Sequence, residues 1–421
     1  MDSVSSFRVI RETFSSRNVT VVTITQTFFM FTAFLWWPYR SLFILELGAT
    51  KELLGMLLML ETVSRLLFQL PGGIMADRLG RRRVIIYSSI LRMGSPLIFL
   101  FSTHWTHLAP GIVLASAGSL GMPAVSALIA ESLPEGSRGS GFAAYRTVTW
   151  MPMIVTSLVG GVLMDYYGIV RGVRIVQMAS MAVAILSTLM RWRFIEETLR
   201  AGGREDGGEA EISRSVLSLD ELGRMPRDVW ILTAVAAVTG FGTRTVMSFM
   251  VIYAVEVVGL TKTQWGMIGT VVSLISTLLM MPAGMLADRI GRKPCIIISR
   301  VLSSFSTLGF TFSRNFWHMG AVRALGGVAS GFGGAAWGPI GGPVWQALVA
   351  DVTPPEDRGR MMGLMGTIQG LVSTPASWIG GYMYDNVSPE FPFYTSFALN
   401  TIGTAIFVAL LKEPGRSRKR A

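Results

Sequence analysis

Two aspartates lie 211 residues apart in the same frame. Asp77 stands in Gly73-Ile-Met-Ala-Asp77-Arg78-Leu-Gly80-Arg81-Arg82, and Asp288 in Gly284-Met-Leu-Ala-Asp288-Arg289-Ile-Gly291-Arg292-Lys293. Carboxylates and guanidinium groups this close can form short, charge-assisted hydrogen bonds. The aspartate could instead cap the start of the following helix. The glycines suit a tight turn, where backbones approach closely and positive φ is allowed. Glu131 and Asp351 each close an apolar run, so they are natural partners for Arg78, Arg81, Arg289 or Arg292. The alternative is that these charges only fix the side of a membrane on which the turns lie.

A second set of charges interrupts the apolar runs themselves. Glu61 is the one carboxylate near the middle of a run, where a buried charge needs a partner or a proton. Arg65 follows one helical turn later on the same face, and Arg92 lies at a similar depth in the next run. Glu61 therefore reads either as a proton-coupling carboxylate or as half of a structural ion pair. Arg40, Arg244 and Arg323 also lie within runs and have no carboxylate near the middle of their own run. Arginine stays charged and forks onto carboxylate or phosphate. An uncompensated cationic cavity would favour an anionic or zwitterionic solute; pairing of Arg40 and Arg244 with Glu46 and Glu256 is the alternative. Between Gly326 and Pro343, eight glycines and two prolines crowd one run. A break there is tolerable only beside protein or water and could build a binding site with Trp337 and Trp345. Close packing through small residues explains the same pattern.

The elements that must position these groups are membrane spans. The chain is 51% hydrophobic and 15% charged, with a mean hydropathy of +0.50. Several apolar runs reach the roughly 20 residues needed to cross a bilayer. Twelve are expected, at about 20–46, 52–73, 84–102, 109–132, 140–164, 173–190, 228–258, 263–284, 295–313, 317–350, 360–384 and 391–411. Residues 191–227 contain Ala-Gly-Gly-Arg-Glu-Asp-Gly-Gly-Glu and read as a cytoplasmic linker between an N-terminal half, 1–190, and a C-terminal half, 228–411. A basic tail, 412–421, is expected to be disordered. The halves repeat beyond the turns. Gly48, Thr50, Lys51 and Gly55 match Gly259, Thr261, Lys262 and Gly266 at an offset of 211. Pro123, Glu131, Arg138, Gly160, Gly161 and Asp165 match Pro343, Asp351, Arg358, Gly380, Gly381 and Asp385 at 220. Nine extra residues thus lie before Pro343.

Charge sets the topology. Of 37 lysines and arginines, 25 fall in the termini and the loops after even-numbered spans, five in the other loops, and seven within spans. Positive residues stay inside, so both termini are expected in the cytoplasm. From that side, at about 1.5 Å per residue, Arg244 lies about 24 Å deep and Arg40 about 30 Å deep. The formal net charge of +11 is then loop arginine rather than a nucleic-acid surface. The single cysteine, Cys295, permits no intrachain disulfide. His104 and His107 fall in an outer loop and read as polar rather than metal-binding. No phosphate-binding Gly-x-x-x-x-Gly-Lys occurs.

The repeated turn resembles the signature loop of the major facilitator superfamily, between helices 2 and 3 and again between 8 and 9. The resemblance implies an all-α membrane protein of twelve helices in two pseudosymmetric halves. It also implies a central cavity lined by helices 1, 4, 7 and 10, and a gate role for Asp77 and its arginines. Other signatures depart. Gly111-Ile-Val-Leu-Ala-Ser-Ala-Gly118 has no arginine where proton-linked exporters carry one, and Pro152 has the wrong spacing from Gly160 for the drug–proton antiporter motif. The expected function is secondary transport of a small organic solute across the cell membrane, gradient-coupled with protons favoured, by a monomer without cofactor or metal. Efflux of amphipathic compounds is the alternative. A non-transporting sensor and a membrane enzyme are rivals from other classes, the latter lacking any acid–base or metal cluster in a span.

Overall fold

Apolar runs of this length can satisfy their backbone in a bilayer only by forming helices. The computed structural model describes residues 13–133, 138–198, 225–333, 342–353 and 358–411, and no strand occurs among them. The spans, numbered α1–α12, follow one another. α1 is Arg17–Trp36 and Arg40–Glu46, joined by a 3₁₀ turn at Trp37–Tyr39 where Pro38 interrupts the ladder. α2 is Lys51–Leu79, α3 Arg81–Phe101, α4 Trp105–Ser132, α5 Arg138–Trp150 with Met153–Tyr167, and α6 Ile169–Phe194. α7 is Arg227–Val257, α8 Lys262–Ile290, α9 Arg292–Phe312, and α10 Phe316–Gly331 with Pro343–Val352. α11 is Arg358–Ser373 with Ala376–Asn386, and α12 Phe391–Leu410. The all-α, multi-pass reading is the observed fold: among the described residues ten of these helices are long and apolar enough to cross a membrane, and the order of all twelve agrees with two six-helix halves.

The turns have local causes. Gly80 and Gly291 take φ of 95° and 105°, a region that side chains disfavour, and each separates two helices by one residue. Thr261 and Gln264 close a reciprocal capping box on α8. Asn315 caps α10 by accepting from the His318 N–H.

The chain forms two compact units, Met1–Ala49 with Leu60–Ala210, and Thr50–Met59 with Glu211–Ala421. In the first, Val19, Val22, Val84, Ile85, Leu128 and Ile195 share one apolar core. In the second, Val229, Leu232, Ile296, Trp345, Leu348 and Phe407 do so.

Three boundaries differ from the sequence reading. α6 continues to Phe194, and Ile195 to Thr198 follow it back onto the first unit, so the linker does not begin at 191. Ile195 is the reason: it is an apolar residue 2% exposed in that core. The segment Thr50–Met59 groups with the second unit although it precedes the linker. There Gly55 meets α11 so closely that a Cβ would lie 2.3 Å from the Ser377 carbonyl oxygen. The third is α10, which is two helices rather than one. Residues 334–341, with Trp337, the glycine-rich part of the linker and the basic tail lie outside the described residues.

Candidate functional site

In the first unit the turn residues converge on Arg81. Its Nη1 is 2.8 Å from Asp77 Oδ1 and donates to the Ala76 carbonyl at 3.0 Å, while its Nη2 is 3.2 Å from Glu131 Oε1. One guanidinium thus ties the end of α2 to the end of α4. The carboxylates are more than a third exposed, so each pair is worth only about 0.5–1 kcal/mol. Arg78 is exposed on the same turn.

Asp77 does not cap α3. It lies in the last turn of α2, and the cap comes from Glu197, beyond α6. Its Oε1 accepts the Arg81 N–H at 2.9 Å and its Oε2 the Arg82 N–H at 3.1 Å. A carboxylate on the first N–H groups of a helix also meets the positive end of its dipole. Spacing within the turn could not reveal a cap supplied over a hundred residues away. Two acidic residues directly after α6 were the available signal.

The second turn is similar but simpler. Arg292 Nη1 bonds Asp351 and the Ala347 carbonyl at the end of α10. Asp288 is exposed and makes no ion pair among the described residues, while Arg289 is exposed and engaged. The aspartate–arginine–carboxylate chain is therefore continuous in the first unit and lacks its first link in the second.

Within the spans, Glu61 pairs with Arg40 of α1 at 2.5 Å, with side-chain exposures of 32% and 15%. This corrects two sequence expectations. Glu61 does not pair with Arg65, although the two share a helix face; Arg65 points to an exposed position. Arg40 is not an uncompensated cation, and neither Glu46 nor Glu256 holds it. The Arg40 guanidinium also lies 5.7 Å from the Trp37 ring. Ser116 of α4 donates to the Glu61 carbonyl at 3.4 Å. Arg92 stacks on Phe29 at 3.8 Å, and its stem passes Gly118 where a Cβ would stand 2.7 Å from Cδ.

In the second unit Arg244 is half-buried and already engaged. Arg323 is half-buried with its guanidinium over Trp265 at 5.6 Å and Phe310 at 5.9 Å. Its Nη1 is 3.8 Å from Met250 Sδ, its Nε has no hydrogen-bond partner, and no carboxylate pairs with it among the described residues. Trp345 does not line an open site. It is 5% exposed, beneath Arg300 at 4.9 Å and beside Phe407 at 6.0 Å, because α9 and α12 close over it.

Sequence reasoning also passed over residues on α2 and α11. Lys51 Nζ meets Glu256 Oε2 at 3.2 Å, Asp385 Oδ2 accepts the Glu52 N–H at 2.9 Å, and Trp378 Nε1 donates to Glu52 at 3.2 Å. Asp385 and Lys51 were visible as repeat-related residues, without their partners. Among the described residues no cluster of metal-ligating side chains occurs.

The sequence profile of the Major Facilitator Superfamily matches residues 22–261 and 232–421. The quinolone resistance protein NorA of Staphylococcus aureus (strain MRSA252) is 30% identical over 161 residues, which cover 38% of this chain and 39% of NorA. The multidrug resistance protein MdtG of Salmonella arizonae is 27% identical over 394 residues, 91% of each chain. Among solved structures, a D-xylose–proton symporter aligns with a TM-score of 0.70 at 16% identity, over 94% of this chain and 98% of its own. The human organic anion transporter MFSD10 aligns with a TM-score of 0.64 at 15% identity, over 93% and 99%. At these identities the structural likeness concerns the fold alone.

Proposed function

The chain belongs to the Major Facilitator Superfamily, and we propose that it carries a small organic solute across the cell membrane by alternating access, driven by a proton gradient. The observation that carries this reading is the Arg40–Glu61 pair. A carboxylate within a span is costly to charge, and a partner arginine lowers that cost. Protonation of Glu61 would release Arg40 and change how α1 holds α2, which couples a proton to a movement of helices. The test is uptake into proteoliposomes with and without a pH gradient. Wild-type protein should transport only with the gradient and be indifferent to ATP. Glu61→Gln should remove the gradient dependence. Unchanged dependence in that variant would make Glu61 structural.

An anionic or zwitterionic solute is favoured, with Arg323 as its anchor in place of Arg40 and Arg244. Arg323 has aromatic faces around it and no carboxylate paired with it among the described residues, so it can offer its fork to a carboxylate or phosphate. Arg323→Ala should weaken competition by organic anions about tenfold, the scale of one lost hydrogen bond to a charged group. Tight binding of lipophilic cations, insensitive to Arg323→Ala, supports the second reading, efflux of amphipathic compounds. That reading draws on the names of MdtG and NorA. Asp77, Arg81 and Glu131 are assigned the cytoplasmic gate of the first half, and Arg292 and Asp351 that of the second. The cytoplasmic placement of both termini rests on the lysine and arginine distribution.

A further inference from the structure

At the start of α3 and the end of α6 lies a groove of about 350 Å³ lined by Arg82, Arg83, Ile86, Tyr87, Ile90 and Trp192. Its two ends differ in chemistry. Arg82 and Arg83 stand at the rim, beside the turn that follows α2. Ile90 is two helical turns further into the membrane. Tyr87, Ile90 and Trp192 are each more than half exposed, at 53%, 51% and 59%. The exposed apolar surface continues along both helices through Leu91 and Leu97 on α3 and Leu186 and Leu189 on α6. A face of this kind on two spans meets lipid chains, and aromatic residues at its end sit at headgroup level.

Among the described residues no carboxylate forms an ion pair with Arg82 or Arg83 at the rim. Arg82 Nη2 donates to the Trp192 carbonyl at 2.7 Å, but its buried Nε has no partner. Arg83 is exposed and makes no hydrogen bond or ion pair among the described residues. Among the described residues of the rim, Glu197 accepts the Arg81 and Arg82 backbone N–H groups on its two oxygens. Glu196 is taken by Arg17 at 2.8 Å.

The repeat supplies an internal comparison. The offset of 211 places Lys293, Pro294 and Ile298 where the first half has Arg82, Arg83 and Tyr87. Lys293 Nζ is held by the carbonyls of Val408 and Leu411 at the end of α12. The turn therefore folds without a spare cation at that place. The second arginine and the aromatic floor belong to the first half alone, so the fold itself does not require them.

We propose that this groove binds an anionic phospholipid of the leaflet on the side of the repeated turns. Its phosphate would lie on Arg82 and Arg83, its glycerol region on Tyr87 and Trp192, and its chains along Ile86 and Ile90. Two basic side chains over an apolar, lipid-facing groove between spans have the charge and the depth that such a headgroup needs.

The test uses the full-length protein in mild detergent, titrated with phosphatidylglycerol or phosphatidylcholine of the same chains and read by native mass spectrometry. The native protein should retain phosphatidylglycerol about tenfold better. Arg83→Gln, which removes no internal bond, should cut that preference about fivefold, the scale of one arginine at a membrane surface. Brominated phosphatidylglycerol should quench tryptophan fluorescence in the native protein, and less in Trp192→Phe. Equal retention of the two lipids would overturn the proposal. So would an unchanged preference in Arg83→Gln, quenching unaltered in Trp192→Phe, or displacement of the lipid by millimolar inorganic phosphate. None of these readouts depends on transport, so the lipid site and the transport reading can fail separately.

Discussion

Glu61 of α2 holds Arg40 of α1 at 2.5 Å, across 21 residues of sequence and past Arg65, the neighbour one turn away. Both groups are partly exposed, so the coupling between them is below that of a fully buried pair. A double-mutant cycle with Glu61→Gln and Arg40→Gln should give a coupling energy of about 1–2 kcal/mol in thermal or denaturant unfolding. Additive effects would mean that the pair contributes nothing to the resting fold.

Asp77→Asn should cut transport strongly while expression and unfolding stay near wild type. It removes one arm of Arg81 and leaves Glu131 and the Ala76 carbonyl as partners. Asp288→Asn should do less, because Arg292 is held by Asp351 without it. Parallel uptake measurements on the two variants decide this, and equal losses would count against an asymmetric gate.

Glu197→Ala should destabilise the first half by about 1–2 kcal/mol, since it strips the N–H groups of Arg81 and Arg82 of their acceptor. Gly80→Ala should cost at least as much. Its φ is 95°, and a Cβ would stand 2.4 Å from Glu197 Oε2. Unfolding in detergent measures both. An unshifted transition in Glu197→Ala would mean that water satisfies the start of α3 equally well.

Two buried arginines should respond oppositely to replacement by methionine. Arg191 is 4% exposed and donates to Thr25 at 3.0 Å, Ser89 at 2.9 Å and Gln26 at 3.3 Å. Arg191→Met removes three hydrogen bonds, although Thr25 and Ser89 keep their bonds to backbone carbonyls, and should lower stability by about 2–3 kcal/mol. Arg300 stands at the repeat position of Ser89 and is equally buried. It lies 4.9 Å from Trp345 and 5.5 Å from Phe407, with Nε and Nη1 unpartnered. An apolar side chain of similar volume should be neutral or stabilising there. A marked loss in Arg300→Met would instead indicate that its stacking on Trp345 and Phe407 stabilises the core.

Much was readable from the sequence because it depends on neighbours in the chain. Span length, the half-chain repeat, the glycine turns at Gly80 and Gly291, and the four arginines, Arg78, Arg81, Arg289 and Arg292, among which Glu131 and Asp351 would find partners follow from periodicity, spacing and backbone dihedrals. What the tertiary structure decided is which side chains meet. The i,i+4 spacing pointed Glu61 to Arg65, but the rotation and tilt of α1 against α2 brought Arg40. The cap of α3 came from Glu197 because Ile195 buried itself in the first core and carried the acidic residues back to the turn. Trp345, placed by composition beside a break, was enclosed by α9 and α12. Sequence spacing fixes the face a residue occupies on its own helix, whereas its partner depends on how packed helices are turned toward one another, and that is set by the whole core at once.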